Sequence, residues 1–393
     1  LVELRGREPT LEWCEVAGGV RVLGGAKPTV RRCVVRDSAG SGVLVSGNAR
    51  ATLLHNTVRN NRLQGVGVKG GASVEMHHNT VGATLQCGVL LTETSRGALT
   101  HNLVHGNRLN GVAIQGDAEV SLGHNELGPD NRCGLSICDT ARARLSGGAV
   151  GANRLHGVRA LGSARLQLTD AELRDNHRCG LWLAGTARVS FDACALRGSW
   201  QHGCAVQEEA TLEARGVTIE DNARSGVVLF DAAKASVGAD DAGAPSTIRR
   251  NRLQGVAALG TAALELTRTT VEGNSQCGIV LLEKAVGTIA HATVQGNRWE
   301  GVALLESRAS LRHCVIADNR RRGVLVCRGA RATVEDNELR GNPTAIDVYS
   351  LRGVRTARNH TGADHGAAPA LVRRRGRRLL LVLLAMMALQ IFQ

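Results

Sequence analysis

Four sets of residues in this chain are of types that can do chemistry, and three of them recur at a fixed spacing. The exception is the acidic pair Asp240-Asp241, which lies in a Gly/Ala-rich stretch between Gly238 and Pro245. Paired carboxylates can serve glycoside hydrolysis, one protonating the leaving oxygen while the other attacks or activates water. Here the pair sits at what reads as a loop tip, without a groove to preorganise it. The second set is His55, His78, His101 and His124, 23 residues apart. If each step is one turn of a stacked fold, neighbouring imidazoles lie close enough to suggest a Zn²⁺ or Cu²⁺ clamp. An exposed edge column explains them as well, so no metal is expected.

The third set is Cys87, Cys133, Cys179 and Cys277, each directly before a glycine and recurring on alternate turns apart from Ser225. Two turns of a parallel stack separate them by about 9.6 Å, beyond the roughly 7 Å Cα reach of a disulfide. They read as small wall residues, and the eleven cysteines as free thiols of a reducing compartment. The fourth set is Arg62, Arg108, Arg154, Arg252 and Arg298, each following an asparagine on alternate turns. A regular row of guanidinium groups suits a polyanion or an acidic protein surface.

A glycine followed by a small or aliphatic residue sets the spacing that aligns these residues. It recurs every 23 residues from Gly19 to Gly226, resumes after a six-residue insertion at Gly255, Gly278 and Gly301, and closes at Gly323 and Ala345 in steps of 22. Around it, apolar residues stand one, three, minus seven and minus twelve positions away, as in Val66, Val68, Val58 and Leu53. Apolar residues two apart, in short runs broken by Gly, Asn or Asp, are strand signals. Three short strands per unit, each stacked on its equivalent, describe one turn of a parallel β-helix. The composition agrees: 43% apolar residues but only 2% aromatic, with 48 glycines, require a core of small and branched aliphatics in a regular array. Asparagines four before the glycine (Asn61, Asn107, Asn153, Asn176) and nine before it (Asn56, Asn79, Asn102, Asn125) mark corners where amides bond to those of adjacent turns. The residue between the two inward positions should face outward. There Leu44, Leu90, Trp182, Val228, Val280 and Leu325 form an apolar stripe of the kind that marks a contact surface.

The segments Lys27-Pro28-Thr29-Val30-Arg31-Arg32-Cys33-Val34-Val35, Gly42-Val43-Leu44-Val45 and Glu335-Asp336-Asn337-Glu338-Leu339 carry a resemblance. With the two-turn alternation of Cys and Leu before the glycine, they resemble the right-handed parallel β-helix repeat proteins of the pectin-lyase-like superfold, and most of all the F-box-associated β-helix proteins. That resemblance implies recognition of partner proteins for ubiquitin transfer. The same superfold hosts polysaccharide lyases, hydrolases and epimerases, but their NTD, GHG and DPHE phrases are absent, as is an acidic column for Ca²⁺.

The expectation is therefore an all-β chain: a right-handed parallel β-helix of about fifteen turns over residues 1–360, an Arg-rich linker over 361–378 and an apolar tail over 379–393. It is expected to bind rather than catalyse and to need no cofactor. A protein partner comes first, as in the substrate-binding part of a ubiquitin ligase. An acidic-polysaccharide binder or degenerate lyase or epimerase relative is the alternative. The candidate partner-binding residues are Arg62, Arg108, Arg154, Arg252, Arg298, Leu90 and Trp182. Nucleic acid is disfavoured because no aromatic platforms interleave with the arginines. Fourteen apolar residues as a helix reach about 21 Å, short of the roughly 30 Å hydrocarbon core. The tail after Arg373, Arg374, Arg375, Arg377 and Arg378 is expected either to attach a cytoplasmic protein to a membrane face or to cap the β-helix.

Overall fold

The computed structural model describes residues 1–327, 329–349 and 353–361. The linker beyond Thr361 and the apolar tail lie outside them. The described residues form short β-strands with no helix, in two compact units: 1–200 with 208–213, and 201–207 with 214 onward.

In the first unit each coil contributes three strands. One coil is Val66–Val68, Ser73–His77 and Thr80–Gly82. Each strand pairs in parallel with its equivalent one repeat earlier and later: Val66 with Val43 and Val89, Ser73 with Arg50 and Arg96, Thr80 with Thr57 and Leu103. The second unit repeats the arrangement in strands such as Val256–Ala258, Ala263–Thr267 and Thr269–Glu272. Inside both units the inward positions are buried aliphatics stacked in columns, such as Val66, Val89, Val112 and Leu135 in the first, and Val256, Ile279 and Val302 in the second. Burying each one contributes about 1.5–3 kcal/mol relative to an extended chain.

Two corners are held by buried amides. Asn56 Nδ2 donates to Asn79 Oδ1 at 2.9 Å, Asn79 to Asn102 and Asn102 to Asn125 at 3.0 Å. Each Nδ2 also donates to a core carbonyl, as Asn79 does to Leu53 O at 2.8 Å, while Oδ1 accepts a backbone N–H. At the other corner Asn107, Asn131, Asn153 and Asn176 form the same chain, and in the second unit so do Asn222, Asn251, Asn274, Asn297 and Asn319. The left-handed backbone expected of these asparagines falls instead on the residue before some of them: His55, His78, His101 and His124 have φ between 50° and 55°. The asparagine itself stays in ordinary backbone and turns its amide inward.

The recurring glycine is required by close approach, not by positive φ. A Cβ on Gly111 would lie 2.7 Å from Gly134 O and 2.9 Å from Asn131 Nδ2. Gly111→Ala should therefore lower unfolding free energy by about 1–3 kcal/mol, the usual cost of overpacking. Gly238→Ala, whose added carbon comes no nearer than 3.4 Å to Thr267 O, should leave it within about 0.5 kcal/mol. Equilibrium denaturation of the two variants measures the difference.

Candidate functional site

The middle strand of each coil is five residues long, and its first and third residues point outward. In the first unit the first position reads Arg50, Ser73, Arg96, Glu119, Arg142, Arg165 and Arg188 in direct register. The third adds Ser121, Arg144 and Gln167. These side chains line an open trough of about 630 Å³ that also includes Ser190, Thr211 and Glu213. Five arginines (Arg96, Arg142, Arg144, Arg165, Arg188) face two carboxylates, Glu119 and Glu213.

The arginines of the trough differ from those elsewhere. Arg31 pairs with Glu12, Arg249 and Arg250 with Glu220, Arg322 with Glu300 and Asp347, and Arg358 with Asp336. Among the described residues none of the five trough arginines has a carboxylate within ion-pair distance. Arg142, Arg165 and Arg188 stand on adjacent coils about 4.8 Å apart. Neighbouring like charges at that spacing cost about 1 kcal/mol per pair even at the dielectric of water. An anionic ligand that laid one charge against each would reverse the sign of that term. The two carboxylates are four coils apart, about 19 Å. A retaining or inverting pair needs roughly 5–9.5 Å.

The residues singled out by sequence lie elsewhere. Arg62, Arg108 and Arg154 are exposed at the corner after the amide chain of the first unit, and Arg252 and Arg298 hold the equivalent corner in the second. Arg154 does not project freely, because its guanidinium donates to Asn107 O at 2.7 Å and Arg108 O at 2.9 Å. Arg108, Asp130 and Arg154 border a smaller hollow with exposed Leu85. Leu90 and Trp182 are half-buried, and Trp182 stacks on His156 with ring centroids 5.0 Å apart. The rest of the apolar stripe is not an open surface. Val228, Val280 and Leu325 are buried.

The four-histidine column is a ring stack, with centroids 5.0–5.3 Å apart and planes within 11°. Parallel rings at that spacing hold equivalent nitrogens about 5 Å apart, more than the roughly 4.2 Å that one Zn²⁺ with two ligands at 2.1 Å spans. The stack abuts Arg32, whose guanidinium lies 4.7 Å over Trp13. Asp240 caps its own loop, accepting from Ala244 N at 2.8 Å, and Asp241 is fully exposed 3.6 Å from Arg215. The cysteines are unpaired, and burial raises the thiols of Cys87, Cys133 and Cys277.

The sequence matches the family of the right handed beta helix region over residues 7–137, 110–240 and 242–360, and the chain belongs to that family. Solved structures with a similar backbone include the periplasmic alginate epimerase AlgG (12% identity, 86% of this chain and 77% of that one, TM-score 0.43). Another is the Azotobacter vinelandii mannuronan C-5 epimerase AlgE6 A-module (11% identity, 87% and 92%, TM-score 0.39). A third is the Bacteriophage CBA120 tailspike protein 3 (10% identity, 92% and 59%, TM-score 0.37). No curated protein matches the sequence.

Two buried histidines border the same coils. Burial, reinforced by Arg178, Arg159 and Arg132, lowers His156 to about 4, and burial with Arg224 lowers His202 to about 3. Each uses neutral Nδ1 to accept a backbone N–H, from Cys179 and Ser225 respectively. A histidine depressed in the folded state favours folding above its unfolded pKa of about 6.5 and loses that contribution as pH falls. Stability should therefore drop between pH 6.5 and 4, each histidine adding up to about 1.4 kcal/mol per pH unit. His156→Gln should remove one of the two slopes, as read from urea midpoints between pH 5 and 6.5. An unchanged slope would show that His156 titrates normally.

Proposed function

We propose that the protein binds an acidic polysaccharide along the arginine trough of its first unit. The observation that carries the reading is the in-register row Arg142, Arg165 and Arg188, flanked by Arg96 and Arg144, with no carboxylate partners among the described residues. A chain whose carboxylates recur along its length meets such a row one charge at a time, and guanidinium groups engage carboxylates bidentately. The trough contains no aromatic ring, so it offers nucleic acid no stacking platform. Its two carboxylates stand too far apart to flank one glycosidic bond, so the trough is read as a binding surface without turnover.

A second reading, recognition of an acidic protein partner as in the F-box-associated β-helix proteins, rests on a different corner. There Trp200, 63% exposed, stacks on His177 at 4.4 Å, and Leu63 and Leu85 are exposed. Exposed aromatic and apolar side chains of this kind suit a protein interface more than a glycan trough.

Polygalacturonate or alginate should bind the full chain at low salt, whereas a neutral glucan should not. Arg165→Ala with Arg188→Ala should weaken binding at least tenfold, with little change in melting temperature because exposed charges contribute little to stability. Arg108→Ala with Arg154→Ala should leave polyuronate affinity unchanged. Calorimetric titration of the three proteins decides between the sites, and equal affinity of wild type and the Arg165/Arg188 variant would remove the trough from consideration. Release of unsaturated uronate, or a changed epimer composition of the bound chain, would overturn the reading as a pure binder.

A further inference from the structure

In the second unit, the outer face of the sheet that starts after each register glycine is covered. Its central column is Val228, Ala257, Val280, Ala303 and Leu325, paired residue to residue on consecutive strands. The column ends in Asp347, and a sheet's side chains alternate between faces. These residues therefore point away from the core occupied by Val227, Leu229, Val256 and Ala258. Yet Val228, Ala257 and Val280 have 0% exposure, Ala303 1% and Leu325 2%. Leu259, Leu282 and Cys327 at one border and Gln254 and Glu300 at the other are buried as well. At the matching position of the first unit Leu44, Leu90 and Trp182 remain half-buried. The coil strands of the unit form a single layer on that side, and the insertion around Asp240 lies between two other strands, Lys234–Gly238 and Ser246–Arg249.

We propose that residues 379–393 of this chain are the cover, seated on the column from Val228 to Leu325. Their composition fits: Leu379 to Phe392 carries no charge and is apolar except at Gln390. Their length fits too, because fifteen residues wound as a helix extend about 22 Å, and five parallel strands span about 19 Å. The 17 residues between Thr361 and Leu379 can extend about 56 Å, ample to return to this face. Charge agrees at the near end. Glu300 and Asp347 are both buried beside Arg322, at 2.9 and 2.6 Å, and Asp347 Oδ1 is a buried acceptor with no hydrogen-bond partner among the described residues. Arg373, Arg374, Arg375, Arg377 and Arg378 precede the apolar segment and supply donors for it. The tail is on this account an intramolecular cover and not an anchor.

The test uses the full chain with Leu384 replaced by the photo-crosslinker p-benzoylphenylalanine. Irradiation should give intramolecular adducts on Val256–Ala258, Ile279–Leu281 or Val302–Leu304, located by peptide mass spectrometry. A second measurement follows alkylation of Cys327, whose thiol burial pushes up to about 12. In Leu380→Asp with Leu384→Asp its alkylation should speed up at least tenfold, while buried Cys133 in the first unit stays protected. Adducts on a second copy, on lipid when phosphatidylcholine–phosphatidylserine vesicles are present, elsewhere on the chain or nowhere would overturn the proposal. So would unchanged protection of Cys327 in the double variant.

Discussion

Every coil of this protein buries at least one polar side chain, and the amide it carries can be satisfied only by the coil above and the coil below. Asn153 shows the constraint. Its Nδ2 donates to Leu127 O at 3.0 Å and to Asn176 Oδ1 at 3.1 Å, and its Oδ1 accepts from Asn131 at 3.2 Å. Slip the register by one residue and each of these buried groups loses its partner, at about 1–3 kcal/mol apiece. The same slip would turn every inward aliphatic to solvent. Polar ladders and apolar columns therefore specify the same register, and the register glycines let the backbone approach closely enough for both.

A fixed register turns sequence columns into surface columns. Arg142, Arg165 and Arg188 are 23 residues apart in the chain and adjacent in space because the coil length equals that spacing. No loop has to fold correctly to bring them together, and no metal has to organise them. The cost is mutual repulsion along the row, which the folded state tolerates because the guanidinium groups are hydrated and the scaffold beneath is stiff. Elsewhere the same chain places its arginines beside carboxylates, as at Arg250 with Glu220 and Asp221. The trough is set apart by that difference rather than by its shape.

The fold was legible from sequence because each feature repeats: the glycine, the inward aliphatics and the asparagines all stand in columns. Where a column changes residue type, legibility fell. Asn131 enters its ladder one residue out of step, three before Gly134 instead of four, and Thr84 substitutes a hydroxyl that donates to Asn107 at 2.8 Å. The trough was missed for a related reason. Its column, fifteen before the glycine, was there to be read as Arg50, Ser73, Arg96, Glu119, Arg142, Arg165 and Arg188, but attention fell on the arginines beside the asparagines. What sequence could not show is pairing. Arg154 satisfies backbone carbonyls two coils away, whereas Arg165 meets no carboxylate, and only the structure separates the two. The apolar stripe shows the same limit: its outward direction follows from alternation, but whether anything covers it does not.

The central claim is that register alone builds a ligand-length row of charge. It is tested most directly by affinity as a function of ligand length, with uronate oligomers of two to eight residues titrated into the wild-type chain. Affinity should climb with each residue added until the oligomer spans the four coil steps from Arg96 to Arg188, about 19 Å, and then level off. A dimer that binds as tightly as an octamer would contradict the account, because it would place recognition at a single point instead of along the row.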